Sequence, residues 1–97
     1  MPAYVITSSV IRDPERFKEY LERAPATVAI YGGRYLVRGG DIDALEGEWM
    51  PARLTVLEFP SVADAKRWHE SDEYRPLKEL REDVADFDVV VVEGVGD

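Results

Sequence analysis

Five side chains in this sequence carry the chemistry needed to bind or transform a small molecule: Arg38, Trp49, Glu58, His69 and Tyr74. Arg34, Leu36 and Arg38 alternate along one segment and Leu54, Val56 and Glu58 along another, so in extended strands each trio shares a face. Inside an otherwise apolar space, Arg38 would hold a carboxylate or enolate oxygen and Glu58 would act as a base. The plainer reading of the same two residues is an internal ion pair that merely closes the sheet. His69 is the only histidine and follows Trp68 near the end of a helical pattern. There the helix dipole favours its charged form, which suits an acid or base near neutral pH or a cap on the last carbonyls. Trp49 falls in a loop, as a lid over a cavity or an aromatic anchor against a partner, and its large burial area favours the interface. Tyr74 is a ligand contact or, like Tyr31, Phe59 and Trp68, part of the core.

Other chemistries are disfavoured by what surrounds these residues. A lone histidine precludes a paired-histidine zinc motif within one chain, and the absence of cysteine removes disulfides, thiolate nucleophiles and sulfur-ligated metals. Glu70, Asp72 and Glu73 read as a solvated helix junction, so neither a metal nor another cofactor is expected. Neither glycine pair forms a dinucleotide or P-loop fingerprint, and the first pair follows a helix instead of opening one. Ser8, Ser9, Ser61 and Ser71 lie in no nucleophile motif. A formal net charge of -8 argues against nucleic acid or an anionic lipid surface as partner. The N-terminus has no signal-peptide pattern, and the longest apolar run, Val89 to Val92, is far short of the roughly 18 residues a membrane span requires. A reducing cytoplasm fits the missing cysteines.

The elements that must position these groups follow from local signals. Residues 3–11 read as a strand. Asp13, Pro14 and Glu15 then start a helix as cap, first residue and dipole partner. Phe17, Tyr20, Leu21, Ala24, Val28 and Tyr31 give it one buried stripe, which Pro25 is expected to kink or split near Ala24. Gly32-Gly33 end the helix, and a second strand runs over about 33–38, with Gly39-Gly40 a bend or bulge before a continuation through Ile42 to Leu45. Gly47 to Pro51 form a loop. Arg53–Phe59 is a third strand stopped by Pro60, and Ser61 with Asp64 opens a second helix that buries Val62, Ala65 and Trp68. Ser71 caps a further helical piece carrying Tyr74, Leu77, Leu80 and Val84. Residues 88–93 make the last strand, and about 95–97 a loose tail.

With 97 residues and 45% hydrophobic content, the chain is expected to form one domain over 1–97. The order β-α-β-β-α-β points to an α+β, ferredoxin-like fold with a four-stranded antiparallel sheet. Four consecutive valines place branched side chains on both faces of the last strand, yet helices in this topology cover only one. A second copy packed sheet to sheet would hide the other, giving a homodimer; the alternative is an edge strand with exposed valines.

The residues Tyr31-Gly32-Gly33-Arg34, Arg38-Gly39-Gly40, Glu46-Gly47 with Trp49, Glu58-Phe59-Pro60-Ser61, Trp68 and Ser71-Asp72-Glu73-Tyr74 resemble domain-of-unknown-function family 1330 (DUF1330) over nearly the whole chain. That family lies within the dimeric α/β barrel superfamily. The resemblance implies a ferredoxin-like homodimer whose sheets form a barrel-like core, but brings no established reaction and no residues to carry over. Relatives in the superfamily include cofactor-independent monooxygenases, isomerases, haem proteins and ligand sensors. Two functions are therefore expected to compete. One is a cofactor-free enzyme moving a proton on a small organic acid or carbonyl compound, and the other a non-catalytic module that binds a small molecule or a partner.

Overall fold

A computed structural model describes residues 1–96. The elements are β1 (Ala3–Ile11), α1 (Pro14–Ile30), β2 (Arg34–Arg38), β3 (Arg53–Phe59), α2 (Val62–His69), α3 (Arg75–Glu82) and β4 (Ala85–Glu93). The strands form one sheet in the order β2-β3-β1-β4 with every neighbouring pair antiparallel. This is the ferredoxin-like arrangement the sequence predicts.

Local chemistry accounts for most boundaries. The Asp13 carboxylate accepts from the Arg16 amide at 3.2 Å, and Pro14 follows in the first turn, where no amide hydrogen is needed. At the far end Gly32 adopts φ +78°, and a Cβ on Gly33 would sit 2.6 Å from the Phe59 ring. One glycine therefore supplies a conformation and its neighbour supplies space. Ser61 Oγ accepts from the Asp64 amide at 3.0 Å and donates to its carboxylate at 2.9 Å, giving α2 its cap. Ser71 Oγ accepts from the Tyr74 amide at 3.1 Å and so leads into α3.

Four expectations need correction. Pro25 does not split α1, which runs unbroken for 17 residues. Proline lacks the amide that would reach the Leu21 carbonyl, and a donor from β2 occupies that acceptor instead: Arg38 Nη2 donates to Leu21 O. The second strand stops at Arg38, and residues 39–52 form no regular element, leaving Leu45, Trp49 and Met50 exposed. Gly39 lies at the start of this loop with φ +71°, and its amide donates a hydrogen bond to Leu54 O at 3.0 Å. The sheet irregularity lies between Tyr35 and Val37, ahead of the glycine pair. Finally, β4 begins at Ala85, three residues early, tied on by the Arg12 and Asp13 amides, which both reach Val84 O. Of the tail expected to be loose, Asp97 lies outside the described residues, and just before it the Gly94 amide is bound to Pro2 O at 2.7 Å.

All three helices cover one face of the sheet. Ala3, Val5, Thr7 and Ser9 of β1 are buried beneath them, together with Leu57 and Phe59 of β3. Phe17, Tyr20, Ala24 and Val28 of α1 and Trp68, Tyr74 and Leu77 from the α2–α3 region complete the core. Trp68 Nε1 donates to Thr27 Oγ1 at 3.0 Å, pinning α2 to α1. The opposite face carries Tyr4, Ile6, Leu54, Val56, Val90 and Val92, and no described element covers it; Val90 remains 59% exposed.

Candidate functional site

The register of the sheet sorts the helix-covered face into rows. Arg53, Ser9 and Phe87 stand opposite one another, and the next row holds Arg38, Thr55, Thr7 and Val89. Beyond them come Tyr35, Leu57, Val5 and Val91, then Phe59 and Ala3. One end of the face is thus polar and basic and the other apolar. Over the polar end, Tyr20, Leu21 and Ala24 of α1 and Trp68 of α2 border a partly open cavity of about 20 Å³.

The bulge at Leu36 puts Arg38 there. Without it, alternation along β2 would leave Arg38 on the same side as Arg34, which pairs with Glu58 on the open face. With it, Arg38 faces α1, its guanidinium carbon 4.9 Å from the Tyr35 ring centre while Nη2 reaches the Leu21 carbonyl. Arg53 lies beside it, its carbon 5.9 Å from the Phe17 ring centre and Nη1 donating weakly to Thr55 Oγ1 at 3.3 Å. Burial lowers the Arg53 pKa and the neighbouring Arg38 charge lowers it further. Arg81 of α3 stacks on Phe87 at 4.2 Å, with Nε buried and without a hydrogen-bond partner among the described residues.

These three arginines have no carboxylate within ion-pair distance among the described residues, although Arg12, Arg23, Arg34, Arg67 and Arg75 all do. In a chain with 20 acidic residues against 12 basic ones, an arginine group left without acids is a directional feature. The phenols beside it add to the same imbalance. Tyr20 and Tyr74 share one hydrogen bond of 2.5 Å between hydroxyls, so whichever oxygen accepts keeps its own hydrogen to offer elsewhere. Burial, then proximity to Tyr74, pushes the Tyr20 pKa far up, and burial likewise raises Tyr35, partly offset by Arg38. At neutral pH these are hydrogen-bond donors and not bases.

The five residues singled out from the sequence do not meet. Arg38 lines the basic cavity. Tyr74 lies beneath it, 1% exposed and bound to Tyr20. Glu58 is on the opposite face, where Arg34 Nε donates to its Oε1 at 2.8 Å, so Arg38 and Glu58 form neither an ion pair nor a joint pocket. His69 borders a separate cleft of about 130 Å³ between α2 and β4, floored by Val5, Ala65, Trp68, Val89 and Val91. Burial first, then the charges of Lys78 and Arg81, lower its pKa below the ordinary 6.5, reversing the expectation that the helix end would favour the cation. Trp49 is 69% exposed in the β2–β3 loop, away from both spaces. Sequence reading missed Tyr20, Tyr35, Arg53 and Arg81. Arg53 was within reach, because alternation places it on the face of Leu57 and Phe59, where a charge needs a reason.

The order of elements, the antiparallel sheet with helices on one face and the cavity between them define a ferredoxin-like α+β protein. Within that class the chain belongs to the family described as domain of unknown function (DUF1330), matched over residues 2–95. No curated protein matches the sequence. Among solved structures, a protein of unknown function from Rhodopseudomonas palustris superposes with a TM-score of 0.77 at 17% identity, covering 99% of this chain and 84% of that one. SnoaB, a cofactor-independent oxygenase from Streptomyces nogalater, gives 0.66 at 11% identity over 99% and 95%. A dimeric ferredoxin-like protein of unknown function from Bacteroides fragilis gives 0.57 at 17% identity over 96% of each chain. At these identities the likeness is one of fold.

Proposed function

We propose that this protein binds a small organic acid in the cavity between α1 and the sheet, as a homodimer built on the open sheet face. The observation that carries the reading is the donor imbalance: Arg38, Arg53 and Tyr20 line the cavity, Arg81 stacks on Phe87 of its wall, Tyr74 is bonded to Tyr20, and no acid among the described residues pairs with any of the three arginines. A ligand with a carboxylate or enolate oxygen supplies the missing acceptors, and Tyr35, Leu57 and Trp68 accommodate its apolar part. The uncovered Ile6, Val56, Val90 and Val92 support the homodimer, with Trp49 in an arm that meets the second copy. The absence of cysteine supports a cytoplasmic setting.

Binding is the first reading and catalysis the second. Glu58 and His69, the groups that would move a proton, lie outside the basic cavity, and burial keeps the Tyr20 and Tyr35 phenols protonated. Turnover without a cofactor gains support from the shared fold with SnoaB, and it would then use the Tyr20–Tyr74 hydroxyls as hydrogen-bond donors to an oxyanion. Calorimetric titration with benzoate and a panel of aliphatic carboxylates tests the site. Binding that disappears in Arg38→Met and Arg53→Met is expected; wild-type protein indifferent to the whole panel would remove the proposal. Recovery of unaltered ligand favours binding, and a changed ligand favours turnover.

A further inference from the structure

The basic cavity is too small for the ligand class proposed for it. About 20 Å³ accommodates roughly one water molecule, whereas even a short carboxylate brings several heavy atoms. Some part of the wall must yield to a larger acid, and one side chain bridges its two sides.

Arg38 joins β2 to α1 through a hydrogen bond to a carbonyl that exists as a free acceptor only because residue 25 is proline. Helix α1 continues unbroken on both sides of Pro25, so every other residue in its middle can offer the usual amide while the Leu21 oxygen has no helical donor. The guanidinium that fills the gap lies across Tyr35, on the rim of the cavity, and is itself exposed. It makes no other hydrogen bond among the described residues. A carboxylate is a stronger partner for a guanidinium than a neutral peptide carbonyl, and exchange leaves the Leu21 oxygen at the surface where water can replace the lost donor.

We propose that Arg38 is a two-position latch: it closes on the Leu21 carbonyl in the empty protein and transfers to the carboxylate of an entering monocarboxylic acid, releasing α1 from β2. This rests on the reading of the cavity as an acid site. The latch acts on affinity, because the closed position subtracts from the population able to bind.

Replacing Pro25 by Ala supplies the missing amide, gives Leu21 O a helical donor and frees Arg38 in advance. Two measurements follow, both on the intact chain. The guanidinium resonances of Arg38, assigned by their loss in Arg38→Lys, are expected to be held in slow rotation in wild type and averaged in Pro25→Ala without any ligand. Benzoate is expected to bind Pro25→Ala roughly fivefold more tightly than wild type, the net worth of one solvent-exposed hydrogen bond that no longer has to be broken. If benzoate binds both proteins equally and the Arg38 resonances match, the latch is wrong and the acid site survives. If the resonances respond to the substitution but benzoate binds neither protein, the exchange is wrong and the acid site falls with it. Pro25→Ser restores the same amide and repeats the test should the alanine variant fold poorly.

Discussion

The Tyr20–Tyr74 pair allows the donor-rich interior to be tested through stability alone. Both rings are buried, at 9% and 1% exposure, and their hydroxyls are 2.5 Å apart. Each ring also packs elsewhere: Tyr20 stacks on Phe17 at 5.0 Å and Tyr74 lies 4.2 Å from Trp68, so a Phe substitution keeps the aromatic packing and deletes only a hydroxyl. Either single variant loses the shared bond and strands the partner hydroxyl in a buried site, which costs about 2 kcal/mol. For a 97-residue chain that corresponds to a Tm drop of roughly 8–16 °C. The double variant strands nothing and loses only the net worth of one hydrogen bond, about 1 kcal/mol. The sum of the singles therefore exceeds the double by about 3 kcal/mol, at the upper end for residues in contact. Urea denaturation of the four proteins measures the difference. Strictly additive losses would refute a coupled hydroxyl pair and, with it, the spare hydrogen assigned to the cavity.

The remaining predictions concern charge and surface. Arg53→Met should stabilise the empty protein by about 1 kcal/mol by removing a half-buried cation without an acidic partner, as well as abolishing benzoate binding; a less stable variant would mean Arg53 is structural. His69 is held neutral by burial, so the unfolded chain takes up its proton first as the pH falls below 6.5, and stability drops there until the folded state is protonated too. His69→Gln should lack that component of the slope, and parallel urea-midpoint profiles of variant and wild type would contradict it. Val56→Glu together with Val90→Lys should convert the protein to single protomers in light scattering, whereas wild-type protein that already runs as a lone protomer at micromolar concentration would remove the proposed dimer.

The parts of this fold legible in the sequence are those specified by neighbouring residues. Asp13-Pro14, Ser61 with Asp64, and the run ending at Pro60 each hold their own instructions, and α1, α2 and β3 begin or end where those residues stand. Side-chain direction proved harder to read. A single bulged position at Leu36 inverts the face on which Arg38 appears, and the nearby Gly39-Gly40 drew the expected irregularity too far along the strand. Pro25 misled for a related reason: its local effect is to break a helix, and the compensation comes from a residue 13 positions away that only the tertiary fold brings close. The candidate site was half legible. Arg38 lines the basic cavity and Tyr74 reaches it only through its bond to Tyr20, but pairing Arg38 with Glu58 required a regular β2, and the Tyr20 phenol on α1 was indistinguishable from core.

The two tryptophans divide the spectroscopy of this protein between them. Trp68 is 3% exposed among aromatic neighbours, with its indole N–H fixed, while Trp49 is 69% exposed on the β2–β3 loop. Their emission therefore separates by colour, blue from the interior and red from the loop. Diluting the protein while following only the red component would watch the loop gain or lose a neighbour, as the blue component independently certifies that the chain is still folded.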